Sequence, residues 1–147
     1  SSKEELLKYF IQEEILNMEK IVEKIEAKNL EFFESVNQGL YEILEYRKNQ
    51  NFLNIITKEA EWLKNPIIID SLKIIDEKIQ NYIKSKLVRA KEKGYIDYQD
   101  LDITTFLIYK MYIALVIEWG SKDKNIDRQV LAKTVSEVLR KGLRKEE

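Results

Sequence analysis

The sequence predicts an all-α fold, and three observations carry it. Only five of the 147 residues are Gly or Pro, well below the ~12% of ordinary domains. β-sandwiches and α/β folds need far more turn residues than that. Apolar residues recur at helical spacing along most of the chain. The 44% apolar content supplies a real core for one domain, the usual yield of a chain this long. We therefore expect a six-helix bundle in a single domain over residues 1–147.

Each element has its own signal. Ser2-Lys3-Glu4-Glu5 reads as a capping box, with the Ser2 hydroxyl accepting from the Glu5 amide and the Glu5 carboxylate reaching back. Leu7, Ile11, Ile15, Met18, Val22 and Ile25 then form the stripe of a first helix over about 3–27. A second starts near Leu30, turns Phe33, Val36, Leu40 and Leu44 inward, and breaks at Asn49-Gln50-Asn51. A short third holds Phe52, Ile55, Ile56 and Trp62. Asn65-Pro66 ends it, and Pro66 suits the first turn of the next. That fourth helix, about 66–93, carries Ile68, Leu72, Ile75, Ile79, Ile83, Leu87 and Ala90 on one side. Its basic last turn (Arg89, Lys91, Lys93) suits the helix dipole, and Gly94 fits a left-handed cap. Asp97 is the expected cap of the fifth helix, which runs to Trp119-Gly120. The sixth, about 126–142, is amphipathic through Val130, Leu131, Thr134, Val135, Val138 and Leu139.

The fifth helix is the strongest physical clue. From Leu101 to Trp119 it reads LDITTFLIYKMYIALVIEW, and between Phe106 and Trp119 only Lys110 and Glu118 are charged. A surface helix has one apolar stripe, whereas a helix apolar nearly all round must be covered on every side. Two arrangements cover it: a central place in the bundle, or one face inside and another in a subunit interface. A dimer sealed by this helix and the last one from each partner satisfies both helices.

Absences exclude several function classes. The chain has no Cys, which removes disulfides, thiolate nucleophiles and Cys-ligated metals. It has no His, so the commonest general base and metal ligand are missing, and the Glu-x-x-His motif of di-iron bundles cannot form. The 25 basic and 26 acidic residues balance, leaving no overall field to gather nucleic acid or an anionic membrane. The longest apolar run, Met111–Ile117, falls far short of the ~20 residues of a membrane span. No signal peptide is visible, and a soluble, cytoplasmic protein without a cofactor or a metal is the expectation.

Three segments carry a resemblance. Ser2-Lys3-Glu4-Glu5-Leu6-Leu7 resembles the segment that follows the helix-turn-helix of TetR-family transcriptional regulators. Ala90-x-x-x-Gly94-Tyr95-Ile96-Asp97, with Asp100 and the long apolar helix after it, resembles the approach to that family's penultimate helix. Ile126-Asp127, Val130 to Leu139 and Gly142-Leu143 resemble its final helix. Together they cover about half the chain, and the middle, 28–85, matches only in helix order and length. The family's DNA-reading module precedes the first of these segments. The resemblance therefore implies that these residues are the regulatory and dimerisation core, that residues 1–27 are the linking helix, and that operator DNA is bound only through the N-terminal head.

The resemblance further implies a homodimer, its four-helix interface built from the last two helices of each subunit, and a pocket for a small lipophilic effector. The first helix becomes the moving element, since an effector that prefers one of its positions shifts the population by that differential affinity. Candidate pocket residues are Met18, Phe33, Trp62, Tyr82, Tyr109 and Tyr112, because aromatic rings offer flat apolar contact and Tyr hydroxyls fix orientation. The plain alternative is that they are core. Lys110, a lone cation in an apolar stretch, can meet an acidic effector or a carboxylate across the interface; alternatively its stem lies along apolar surface with the ammonium in water. Candidate interface residues are Tyr112, Val116, Val130, Leu131, Thr134, Val135 and Val138.

Two rival functions differ in what they require. An enzyme would have to work through carboxylates, but the Glu4/Glu5 and Glu13/Glu14 pairs fall on the expected polar face of the first helix, and none of the seven serines has a His partner. A helical adaptor for protein partners would be packed solid, whereas a regulator core would hold an apolar cavity of ~300 Å³ or more.

Overall fold

The computed structural model describes residues 2–48, 64, 66–97, 100–115 and 127–145. Among these are five helices: α1 Ser2–Ala27, α2 Phe32–Lys48, α3 Pro66–Glu92, α4 Leu101–Ile113 and α5 Arg128–Leu143. The all-α class holds. The only pairing of extended backbone among the described residues is an isolated antiparallel bridge between Ile96 and Arg144. The expected third helix, with Trp62, lies outside the described residues, as do Val116 and the loop at 121–125.

α2 and α5 make the most extensive contact in the fold. Two small residues, Ala132 and Ser136, face α2 and are buried, which lets the backbones approach. The Ser136 hydroxyl donates to the Phe33 carbonyl at 2.9 Å, so this polar group enters the core with its partner, as buried polar groups require. Around this seam, Phe32, Phe33, Leu87, Ala90, Ile96 and Leu139 form the main core cluster. α3 packs on α4, and α1 lies across α2 and α3. Leu7 and Ile11 of α1 meet Leu72 and Ile75 of α3 in a second, smaller cluster.

The termini show how local chemistry sets boundaries. Gly94 takes φ +75° and ends α3, with the Tyr95 amide donating to the Ala90 carbonyl at 2.9 Å. Asp97 does not cap α4, contrary to expectation. Ile96 is buried and bridges to Arg144, so the Asp97 amide donates to the Leu143 carbonyl at 2.7 Å and holds the chain extended there. Asp100 caps instead, its carboxylate accepting from the Ile103 amide at 2.8 Å. Asp127 caps α5 in the same way. α2 starts at Phe32 rather than Leu30, with the Glu31 carboxylate accepting from the Phe33 amide at 3.1 Å.

One carboxylate is misplaced by the sequence pattern. Glu14 is buried, whereas its neighbour Glu13 is exposed. The Tyr46 hydroxyl of α2 donates to Glu14 Oε2 at 2.9 Å, and Asn17 Nδ2 donates to the Tyr46 oxygen at 3.1 Å. A polar chain thus runs between α1 and α2 where solvent was expected.

Candidate functional site

The helix pairing just described leaves a gap between helices that is about half open to the surface. α2, α3, α4 and α5 converge around an apolar chamber of about 140 Å³, walled by Phe32, Leu87, Ile108, Met111, Val135 and Leu139 among others. Leu131 and Val135 are half-buried and pack against buried core residues. Gly39 of α2 lines the chamber too, and no atom of a packed neighbour stands within 4 Å of where its Cβ would be. The chamber is smaller than the ~300 Å³ expected of a regulator core. It matches the ~150 Å³ that holds one benzene ring in an apolar protein cavity.

Polar groups gather at one end. Tyr82, Lys86 and Ser35 line the chamber, and Ser35, Lys86 and Phe32 also line an adjoining cleft of about 80 Å³. That cleft is otherwise formed by the end of α1 (Ile25, Glu26, Asn29, Leu30) and by Arg89, Ala90, Lys93 and Tyr95. Glu26 ties the two helices together. It is ion-paired to Lys86, accepts from the Tyr82 hydroxyl at 3.0 Å and lies 3.7 Å from Arg89. Burial alone would raise the Glu26 carboxyl, but the hydrogen bonds from Lys86 and Tyr82 and the charges of Lys86 and Arg89 hold it below the ordinary carboxylate value. Burial, then the charge and hydrogen bond of Glu26, push the Tyr82 phenol well up, so it stays a neutral donor.

The expected pocket residues separate. Tyr82 and Tyr112 line the chamber. Phe33 is buried in the core against Phe32, with Arg140 stacked 4.8 Å from its ring. Tyr109 is buried but does not line the chamber, and Met18 is half-buried on α1 away from it. Trp62 lies outside the described residues. Lys110 is exposed, its ammonium 5.4 Å from the Phe106 ring and 5.7 Å from Tyr109. Its charge offsets part of the rise that burial imposes on the Asp76 carboxyl of α3.

Lys86, Glu26 and Gly39 escaped the sequence reading. Tyr82 and Lys86 are one turn apart, on the edge of the α3 stripe, which is the signal that could have found Lys86. Nothing in the sequence pairs Glu26 with them.

The expected interface residues divide by face. Leu131 and Val135 pack inside their own subunit. Val130 (60% exposed), Thr134 and Val138 (54%) lie on the outer side of α5. α4 likewise exposes Ile103 (59%), Phe106 (50%) and Leu107 (60%) beside Lys110. Among the described residues no helix is long and apolar enough to cross a membrane.

Comparison with known proteins adds one relative. Over 142 residues, 97% of this chain and 74% of the relative, the sequence is 28% identical to the uncharacterized HTH-type transcriptional regulator YhgD of Bacillus subtilis. No family model matches the chain, and no solved structure matches it.

Proposed function

We propose that these 147 residues are the effector-binding and dimerisation core of a TetR-like transcriptional regulator acting in the cytoplasm. Operator DNA is read by a helix-turn-helix head on the N-terminal side of α1. The observation that carries the reading is the similarity to an HTH-type transcriptional regulator along 97% of the chain. Two features of the geometry support it.

The first is the chamber. At about 140 Å³ it falls short of the ~300 Å³ of a full effector pocket, and what it offers the reading is apolar walls on four helices that suit a small apolar group. The second is the set of apolar side chains on α4 (Ile103, Phe106, Leu107) and on α5 (Val130, Val138) that stand half or more exposed in a single subunit. Covering them with the same surface of a second copy gives an isologous, two-fold interface. In this reading the effector acts by repositioning α1, and the chain performs no catalysis.

Native mass spectrometry of the purified protein at low micromolar concentration tests the assembly. A mass of twice 17.6 kDa is expected. A clean monomer would remove the interface and, with it, the regulator-core reading.

A further inference from the structure

The chamber and the cleft beside it differ in chemistry, and they share a wall. One is apolar and fits about six carbons; the other holds Lys86, Arg89 and Lys93 against the single carboxylate of Glu26. Lys86 stands where the two meet. Resting on the regulator reading, we propose that the effector is an amphipathic carboxylic acid, whose tail of about six carbons fills the chamber and whose carboxylate takes Lys86 and Tyr82 from Glu26.

The steps follow from the contacts present. An incoming carboxylate can accept the same two hydrogen bonds that Glu26 now accepts from Lys86 and Tyr82. Charge-assisted bonds of this kind are the strong ones. Arg89 and Lys93 line the cleft as well and add positive charge, so an anion is favoured there over a neutral polar head. Once displaced, Glu26 keeps only the 3.7 Å approach to Arg89. The C-terminal end of α1 then loses the Lys86 and Tyr82 ties to α3 and keeps its buried Ile25, while Leu7 and Ile11 hold the other end. The effector thus acts on α1 by substitution at a carboxylate site, and the differential affinity is the difference between its carboxylate and that of Glu26.

Isothermal titration calorimetry of the 147-residue chain with hexanoate and phenylacetate, against hexanol and phenylethanol, tests this. Each acid is expected to bind at least ten-fold tighter than its alcohol. Lys86→Met, which keeps the apolar stem, should abolish the difference. Glu26→Gln should tighten the acid several-fold and leave the alcohol unchanged, an effect that a merely structural role for Glu26 does not produce. Gly39→Leu should fill the chamber and abolish binding of both. Equal affinity for acid and alcohol would overturn the carboxylate assignment and leave the chamber as an effector site. Binding of neither would overturn the inference altogether, while the dimer mass decides the regulator reading separately. If Lys86→Met fails to fold, the Glu26→Gln result decides alone: unchanged or weakened acid binding would overturn the displacement.

Discussion

The α2–α5 seam and the α1–α3 seam hold helices together by different means. Along the first, Ala132 is wholly covered and Ser136 bonds to backbone inside the core, so the joint has one tightly packed position. Along the second, apolar packing at Leu7 and Ile11 and a buried Ile25 near the C-terminal end are supplemented by side-chain bridges. These are Glu19 to Lys78 at 3.4 Å, and Glu26 to Lys86, Arg89 and Tyr82. Close-packed interiors are costly to disturb, whereas partly exposed ion pairs contribute little and can be exchanged. The molecule therefore has a scaffold of α2, α3, α4 and α5, and a helix α1 whose far end joins one buried apolar anchor, Ile25, to ion pairs that can be exchanged.

The comparison breaks most visibly where the scaffold is cut. Leu87 is fully buried and borders both the core and the chamber. Leu87→Ala should cost about 2–5 kcal/mol, toward the lower end if the neighbouring chamber lets the walls collapse. Urea denaturation followed by circular dichroism measures it. A loss under 1 kcal/mol would mean that the seam is not tightly packed.

A carboxylate placed on the two faces of α5 sharpens the contrast. Val135 is half-buried at the chamber wall, so Val135→Asp sets a carboxylate against apolar side chains and should lower stability by about 1–3 kcal/mol. Val138 is exposed, so Val138→Asp should leave each subunit folded and shift the mass toward the monomer. If Val135→Asp folds normally and Val138→Asp remains a tight dimer, the assignment of inner and outer faces fails.

How far these faces were legible in the sequence depends on the kind of signal. Helical periodicity located the stripes of α1, α2 and α3 because each has one clear apolar side. It could not phase the fifth predicted helix, apolar nearly all round, so Tyr112 stood in both the pocket and the interface sets; the structure brings it to the chamber wall. It also ran Val130, Leu131, Thr134, Val135 and Val138 into one broad stripe that the fold divides between inside and outside. Glu14 falls on the expected polar face, and Glu26 carries no signal at all, because a carboxylate's partner on another helix leaves no local trace. Asp97 and Asp100 are equally good caps by residue type, and only the bridge from Ile96 to Arg144 decides between them.

The α1–α3 joint should respond to smaller changes. Glu26→Gln keeps the shape and removes the charge, and it should cost about 1 kcal/mol or less, since the side chain is partly exposed. The pH dependence has a definite sign. The folded-state pKa of Glu26 lies below its ordinary value of 4.5, so its contribution is fully present above that value. It is lost as pH falls through the depressed one. The gap in stability between the native chain and Glu26→Gln should be constant near neutrality and close below pH ~4.5. A gap that widens on acidification would reverse the assignment of Glu26 as a stabilising, ionised partner.

The smallest expected effect has the opposite sign. Gly39 sits inside α2 with helical φ, since Gly94 is the only described glycine with positive φ. A glycine there costs conformational entropy that Ala does not, about 0.5–1 kcal/mol. Room for the methyl exists because no packed neighbour stands within 4 Å of it. Gly39→Ala should therefore stabilise the chain by about that amount in the same urea titration, while narrowing the chamber it lines. A gain in stability together with weaker hexanoate binding would show that the scaffold gives up packing at this position to keep the chamber open. A loss of stability would mean that α2 is crowded at Gly39, and that the chamber wall lies elsewhere.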